Sequence, residues 1–129
     1  MTNIDPWSMK EWIIYKYFPE ARELDFNDFL SIENLELVMS KVGFIDIKTT
    51  SDYRTTREDL SIFLNYANQR HRTSQFIAIS DKAYNDGILR IKNDLSIKGK
   101  INQTVESEFC LITVIGDKPG NNNVLVNNG

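Results

Sequence analysis

Arg70, His71 and Arg72 form a compact cationic cluster that could engage a substrate carboxylate or phosphate. The plainer reading of the same three residues is a solvated helix end, where positive charge suits the dipole. Trp7, Trp12, Tyr15 and Tyr17 crowd one short stretch, and with Phe63 from a later helix they could line an aromatic pocket or simply pack a core. Glu106 and Glu108, two apart on one face of a strand, have the spacing of an acid-base pair, but the plainer reading is a polar strand end. His71 and Cys110 are the single histidine and the single cysteine, too few for a zinc site. A nucleophilic Cys-His pair would have to use a thiol on a doubly apolar strand, where burial raises its pKa and blocks access. Neither G-x-G-x-x-G nor G-x-x-x-x-G-K-[ST] occurs, so no phosphate-cradling loop is legible. These residues define a candidate substrate pocket (Trp12, Tyr15, Phe63, Arg70, His71 and Arg72) and no catalytic, cofactor or metal position.

The elements that must hold them follow from capping and periodicity. Asp5-Pro6 has the form of an N-cap carboxylate and a first-turn proline, predicting a helix to about Phe18 that Pro19 stops. That helix is apolar round most of its circumference, so something must cover it. Residues 20 to 29 read as a connecting segment anchored by Leu24, Phe26 and Phe29. Ser31 then caps a helix in which Leu35, Val38, Met39 and Val42 recur at helical intervals up to Gly43. A strand follows from Phe44 to about Tyr53, with alternation suited to a sheet edge. Thr55 and Glu58 have capping-box spacing, predicting a third helix to Arg70. Phe76 to Ile79 reads as an apolar linker, and Ser80 caps a fourth helix striped by Tyr84, Ile88, Ile91 and Leu95 before Lys98-Gly99.

The last strand, Asn102 to about Ile115, is apolar on both faces from 109 to 115, the signature of an internal strand. The sequence offers it one partner, the strand at 44–53, and an uncovered apolar edge invites association. The chain is thus expected either to self-associate through that edge or to need a part supplied elsewhere. Residues 120–129, rich in asparagine, read as a frayed tail.

With 129 residues, 41% hydrophobic and 26% charged, the chain has the composition of one ordinary globular domain. Fifteen basic against 18 acidic residues give a net charge of -3, which does not favour nucleic acid. No apolar run is long enough to span a membrane and no signal-peptide layout opens the chain. A lone cysteine in an apolar run points to a reducing, cytoplasmic setting.

In order and spacing, Tyr17-Phe18-Pro19-Glu20-Ala21, Asp25, Phe29, the Ser31 helix ending in Gly43-Phe44, Ser74-Gln75-Phe76, Ser80, Gly87 and the strand ending at Gly116 with Lys118-Pro119 resemble the C-terminal half of class I S-adenosylmethionine-dependent methyltransferases. The likeness runs from about Trp12 to Pro119. It implies an α+β (partial α/β) fold: the C-terminal portion of a Rossmann-like sheet, with an antiparallel strand pair (about 44–53 and 104–115) and four helices. Residues 1–119 would be one such domain, with a substrate-covering helical insertion at about 55–97. In that family the seventh strand lies between the fifth and sixth, and the first helix here would follow the fifth. The family's glycine-rich loop and acidic ribose ligand belong to the N-terminal half, upstream of everything matched, so no cofactor residue carries over. The resemblance implies S-adenosylmethionine chemistry only with that half supplied; the partners to expect are such a half or a second copy of this chain. A non-catalytic interaction subunit and a free-standing small-molecule-binding α+β domain are the other readings.

Overall fold

The computed structural model describes residues 1–97 and 103–119. The Lys98-Gly99 helix end and the tail at 120–129 lie outside the described residues. The fold is mixed α+β. Its sheet has three strands, β1 (Thr2–Ile4), β2 (Ile45–Asp59) and β3 (Thr104–Asp117), in the order β1-β3-β2, and β3 is antiparallel to both neighbours. The helices are α1 (Ile13–Tyr17), α2 (Pro19–Asp28), α3 (Ile32–Val42), α4 (Leu60–Ala67), α5 (Ser74–Ala78) and α6 (Asp81–Ile97), with a 3-10 turn at Arg70–Arg72. Six helices thus stand among the described residues where four were expected.

The expected internal strand is internal, and its second partner is the chain's own N-terminus. Thr2, Asn3 and Ile4 pair with Thr113, Ile112 and Leu111. Met1 and Val114 exchange backbone hydrogen bonds at 2.9 and 2.8 Å, and Asp5 N–H donates to Cys110 O at 2.9 Å. The uncovered β3 edge on which self-association was expected is therefore closed within the chain. A three-residue segment with a single apolar side chain, Ile4, is too short to show alternation, which is why sequence periodicity passed over it.

Both faces of β3 are buried, at opposite ends. Cross-strand pairing puts Arg54, Thr56 and Glu58 on one face with Phe109, Ser107 and Val105, under α1 and α4. Cys110, Ile112 and Val114 face the other way beside Tyr53, Ser51 and Thr49, under α3. The buried positions change parity between Ser107 and Cys110 while the pairing with β2 runs unbroken from Lys48 to Asp59. The change of covering layer, not a bulge, produces the apolar run on both faces. The one irregularity in pairing lies between Ile45 and Lys48, where Asp46 takes φ 52°.

α3 begins and ends where its sequence dictates. Asn34 N–H donates to Ser31 Oγ at 3.3 Å, and Gly43 takes φ 106° with Gly43 N–H on Ser40 O and Phe44 N–H on Met39 O, a Schellman closure. Space around Gly43 is open, so alanine there meets only the left-handed backbone penalty. Gly43→Ala is expected to cost about 1 kcal/mol by urea denaturation, with an unchanged m value.

Four expected boundaries move. Asp5 closes a single turn instead of a long helix: its carboxylate accepts from Trp7 N–H at 3.2 Å and Ser8 Oγ at 2.6 Å, and α1 starts only at Ile13. Pro19 stops α1 and opens α2 as its first residue, where a missing N–H costs nothing. The stretch taken as a connector is that helix. Thr55 and Glu58 stay in β2, because the ladder to β3 runs on to Thr104; Asp59 becomes the cap of α4, accepting from Ile62 N–H at 3.0 Å. The Phe76 to Ile79 linker falls largely within α5, with Phe76 fully buried. Ser80 caps α6 as read, accepting from Ala83 N–H at 3.1 Å.

The all-round apolar α1 is covered by the rest of the chain. Ile13, Ile14, Tyr15 and Tyr17 are all buried, Ile13 N–H reaches Ser107 Oγ at 2.9 Å, and Arg90 Nη1 donates to Tyr17 O at 2.9 Å from α6. Among the described residues no helix is long and apolar enough to cross a membrane.

Candidate functional site

Where α1 and α4 straddle the sheet they leave an open groove of about 480 Å³. β2 and β3 supply its floor with Arg54, Thr56, Ser107 and Phe109; Trp12 to Ile14 form one wall, and Ile62, Phe63 and Tyr66 the other. Glu58 and Asp59 close the end where β2 turns into α4. The size and the aromatic lining suit a small organic ligand. A second crevice of about 510 Å³, at the Asp46 irregularity, is lined by Asp46, Ile47, Lys48, Ile115, Gly116 and Asp117, none of them aromatic.

The structure brings two of the six expected pocket residues to the groove. Trp12 lies against Phe109, with ring centroids 5.4 Å apart, and Phe63 rises from α4 opposite. Tyr15 supports Trp12 from behind, edge-on at 4.9 Å, but is itself only 3% exposed. The cationic cluster lies elsewhere. Arg70 locks the turn between α4 and α6, with Nε on Phe76 O at 2.8 Å, Nη2 on Ile79 O at 2.7 Å, Nη1 on Asp81 Oδ1 at 2.6 Å, and its guanidinium over the Tyr84 ring. Arg72 donates to Gln69 Oε1 at 2.7 Å, and His71 is exposed beside it on the 3-10 turn. None of the three lines the groove.

Ile62, Tyr66, Phe109 and Arg54 belong to the groove and escaped the sequence reading. The signal was present for two of them: Ile62 and Tyr66 fall off the core stripe of α4, so large apolar side chains there must face something other than the core. Ile62 is 69% exposed. Phe109 and Arg54 could be placed only by knowing the strand register.

Glu106 and Glu108 do share a face, but each is engaged. Glu106 pairs with Arg57 at 3.1 Å; Glu108 accepts from Glu11 N–H at 2.8 Å and from the Tyr53 hydroxyl. Cys110 is buried, and burial pushes its thiol pKa up. Among the described residues no cluster of His, Cys, Asp and Glu could hold a metal.

Behind the groove, α1 and its neighbours are tied by buried phenols. Tyr15 OH donates to Asp25 Oδ2 at 2.5 Å, and Gln75 Nε2 reaches the same oxygen at 3.4 Å; Tyr17 OH donates to Asp94 Oδ2 at 2.7 Å. Burial, then the bond to a carboxylate, holds both phenols far above their ordinary pKa. Burial also raises Asp25, partly offset by the donors Tyr15 and Gln75. A raised phenol keeps its proton in the folded state while the unfolded chain sheds it. The phenols' contribution to stability should therefore be intact below about pH 10, the ordinary phenol value, and fall as pH rises beyond it. Tyr15→Phe and Tyr17→Phe should each flatten that alkaline fall, seen in denaturation midpoints measured across the alkaline range.

No family model matches the chain, and no curated protein matches it.

Proposed function

We propose that this chain is the C-terminal, acceptor-covering part of a class I S-adenosylmethionine-dependent methyltransferase, and that it transfers no methyl group without a cofactor-binding half supplied to it. The observation that carries the reading is the strand order. A central strand antiparallel to both neighbours, with β1 and β2 running the same way, is what a seventh strand inserted between a fifth and a sixth requires. β1 would be the end of the fifth strand, leading into α1. The helices from Leu60 to Ile97 stand between the last two strands, where the family carries its substrate-covering insertion, and α4 of that stretch walls the groove.

The residues present do not fit the cofactor. A donor-binding loop needs a glycine-rich turn from a strand into a helix. The described glycines are Gly43 at a helix end, Gly87 inside α6 against Phe18, and Gly116 in β3. What this chain offers is placement: a groove that orients an acceptor, useful only when a donor is held in line beside it.

Such a half would dock along the outer edge of β1 and beside α3, whose Leu37, Val38 and Val42 are exposed. A second copy of this chain could cover the same surface, which is the non-catalytic, dimeric alternative. Both belong in the cytoplasm, where Cys110 stays reduced. Calorimetric titration of S-adenosylmethionine into the chain, with its mass measured by sedimentation on the same sample, tests the reading. Absent heat is expected; saturable binding to the chain alone would overturn it.

A further inference from the structure

The charges around the groove narrow what it can hold. Arg54, the one basic side chain among the described residues that line it, is already paired: Nη2 lies 3.1 Å from Asp52 Oδ2, and Nε donates to Oδ1 at 3.2 Å. Glu58 and Asp59 have no basic partner among the described residues. Glu58 Oε2 accepts from the Thr56 hydroxyl at 2.6 Å and Asp59 Oδ1 caps α4, so both carboxylates are held in place at the groove's end. The rings of Trp12, Phe63, Tyr66 and Phe109 line the same groove. Aromatic faces and unneutralised carboxylates favour the same ligand charge, a cation on an apolar body. An anionic ligand of equal shape would meet two like charges and, among the described residues, no unpaired cation.

We infer that the groove binds an organic amine, a protonated ammonium carried on an aromatic or aliphatic body. The inference rests on the reading above only in treating the groove as the acceptor site, and the volume of about 480 Å³ suits a ligand of that class. The ring system packs against Trp12 and Phe109 while the ammonium sits at Glu58 and Asp59.

The test uses phenethylamine and its acid counterpart phenylpropionate, titrated near neutral pH into a Trp7→Phe variant. Trp7 packs on Phe26 outside the groove, so the variant leaves Trp12 as the only indole reporter. Saturable change in Trp12 emission is expected, with the amine bound about tenfold or more tightly than the acid. Adding Glu58→Gln and Asp59→Asn should bring the two ligands to within about twofold of each other, and since asparagine caps helices as well as aspartate the fold should survive, as circular dichroism will report. Equal affinities, a preference for the acid, no response to either ligand, or an amine preference untouched by the double substitution in a folded protein would each overturn the assignment. S-adenosylmethionine titration is a separate readout. Cofactor binding by the chain alone would remove the reading that a cofactor-binding half must be supplied and leave the amine preference standing, whereas equal affinities would remove the ligand class and leave the fold assignment intact.

Discussion

Gly87→Ala is expected to destabilise the chain by about 2 kcal/mol net, although glycine in a helix interior normally gains stability on becoming alanine. Gly87 lies in the middle of α6 directly beneath the Phe18 ring, and a Cβ built there falls far inside contact distance of ring atoms Cδ1 and Cε1. Phe18 cannot retreat. It is fully buried, 4.8 Å from the Phe76 ring centroid and 6.0 Å from that of Tyr84. Helix propensity would return about 1 kcal/mol, well short of the overpacking cost. The collision predicts its own remedy: in a Phe18→Leu background Gly87→Ala should be nearly neutral. Urea denaturation of the two single variants and the double closes the cycle, and additive effects would contradict the account.

Deleting Met1 to Ile4 is expected to have the second large effect. It removes the β1 rungs to Leu111, Ile112 and Thr113 and both bonds between Met1 and Val114. Net loss of about four backbone hydrogen bonds suggests a cost on the order of 3 kcal/mol. It also turns β3 into an edge strand flanked by the buried residues Cys110, Ile112 and Val114. Such edges recruit other chains. Sedimentation velocity should show concentration-dependent association of the truncated protein beyond anything the full chain displays. A truncated protein as stable and as monodisperse as the parent would show that β1 contributes little.

How much of this was readable in advance depended on whether local and long-range forces agreed. They agree in α3, where Ser31, the Leu35 and Met39 stripe and Gly43 all specify the same helix, and its bounds were legible to the residue. They disagree at Thr55 to Asp59. There a capping-box spacing argues for helix, but each residue has a β3 partner, and the ladder prevails. The double apolar face of β3 correctly announced an internal strand, yet gave no hint that Thr2, Asn3 and Ile4, more than a hundred positions away, complete the sheet. The groove was half legible for the same reason. Trp12 and Phe63 stand out by type and helical phase, whereas Arg54 and Phe109 enter through strand register, and the conspicuous cluster at Arg70 proved to be a structural clamp on Phe76 and Ile79 carbonyls.

If this chain completes a methyltransferase fold, a chimera will bind the cofactor. The N-terminal half of a class I methyltransferase would be joined ahead of β1, so that its fifth strand runs into Thr2–Ile4, with the parent enzyme and its isolated N-terminal half as controls. Calorimetric titration with S-adenosylmethionine should then give saturable binding by the chimera and none by this chain alone. A chimera that is folded and monomeric, yet binds the cofactor no better than the isolated half, would contradict it.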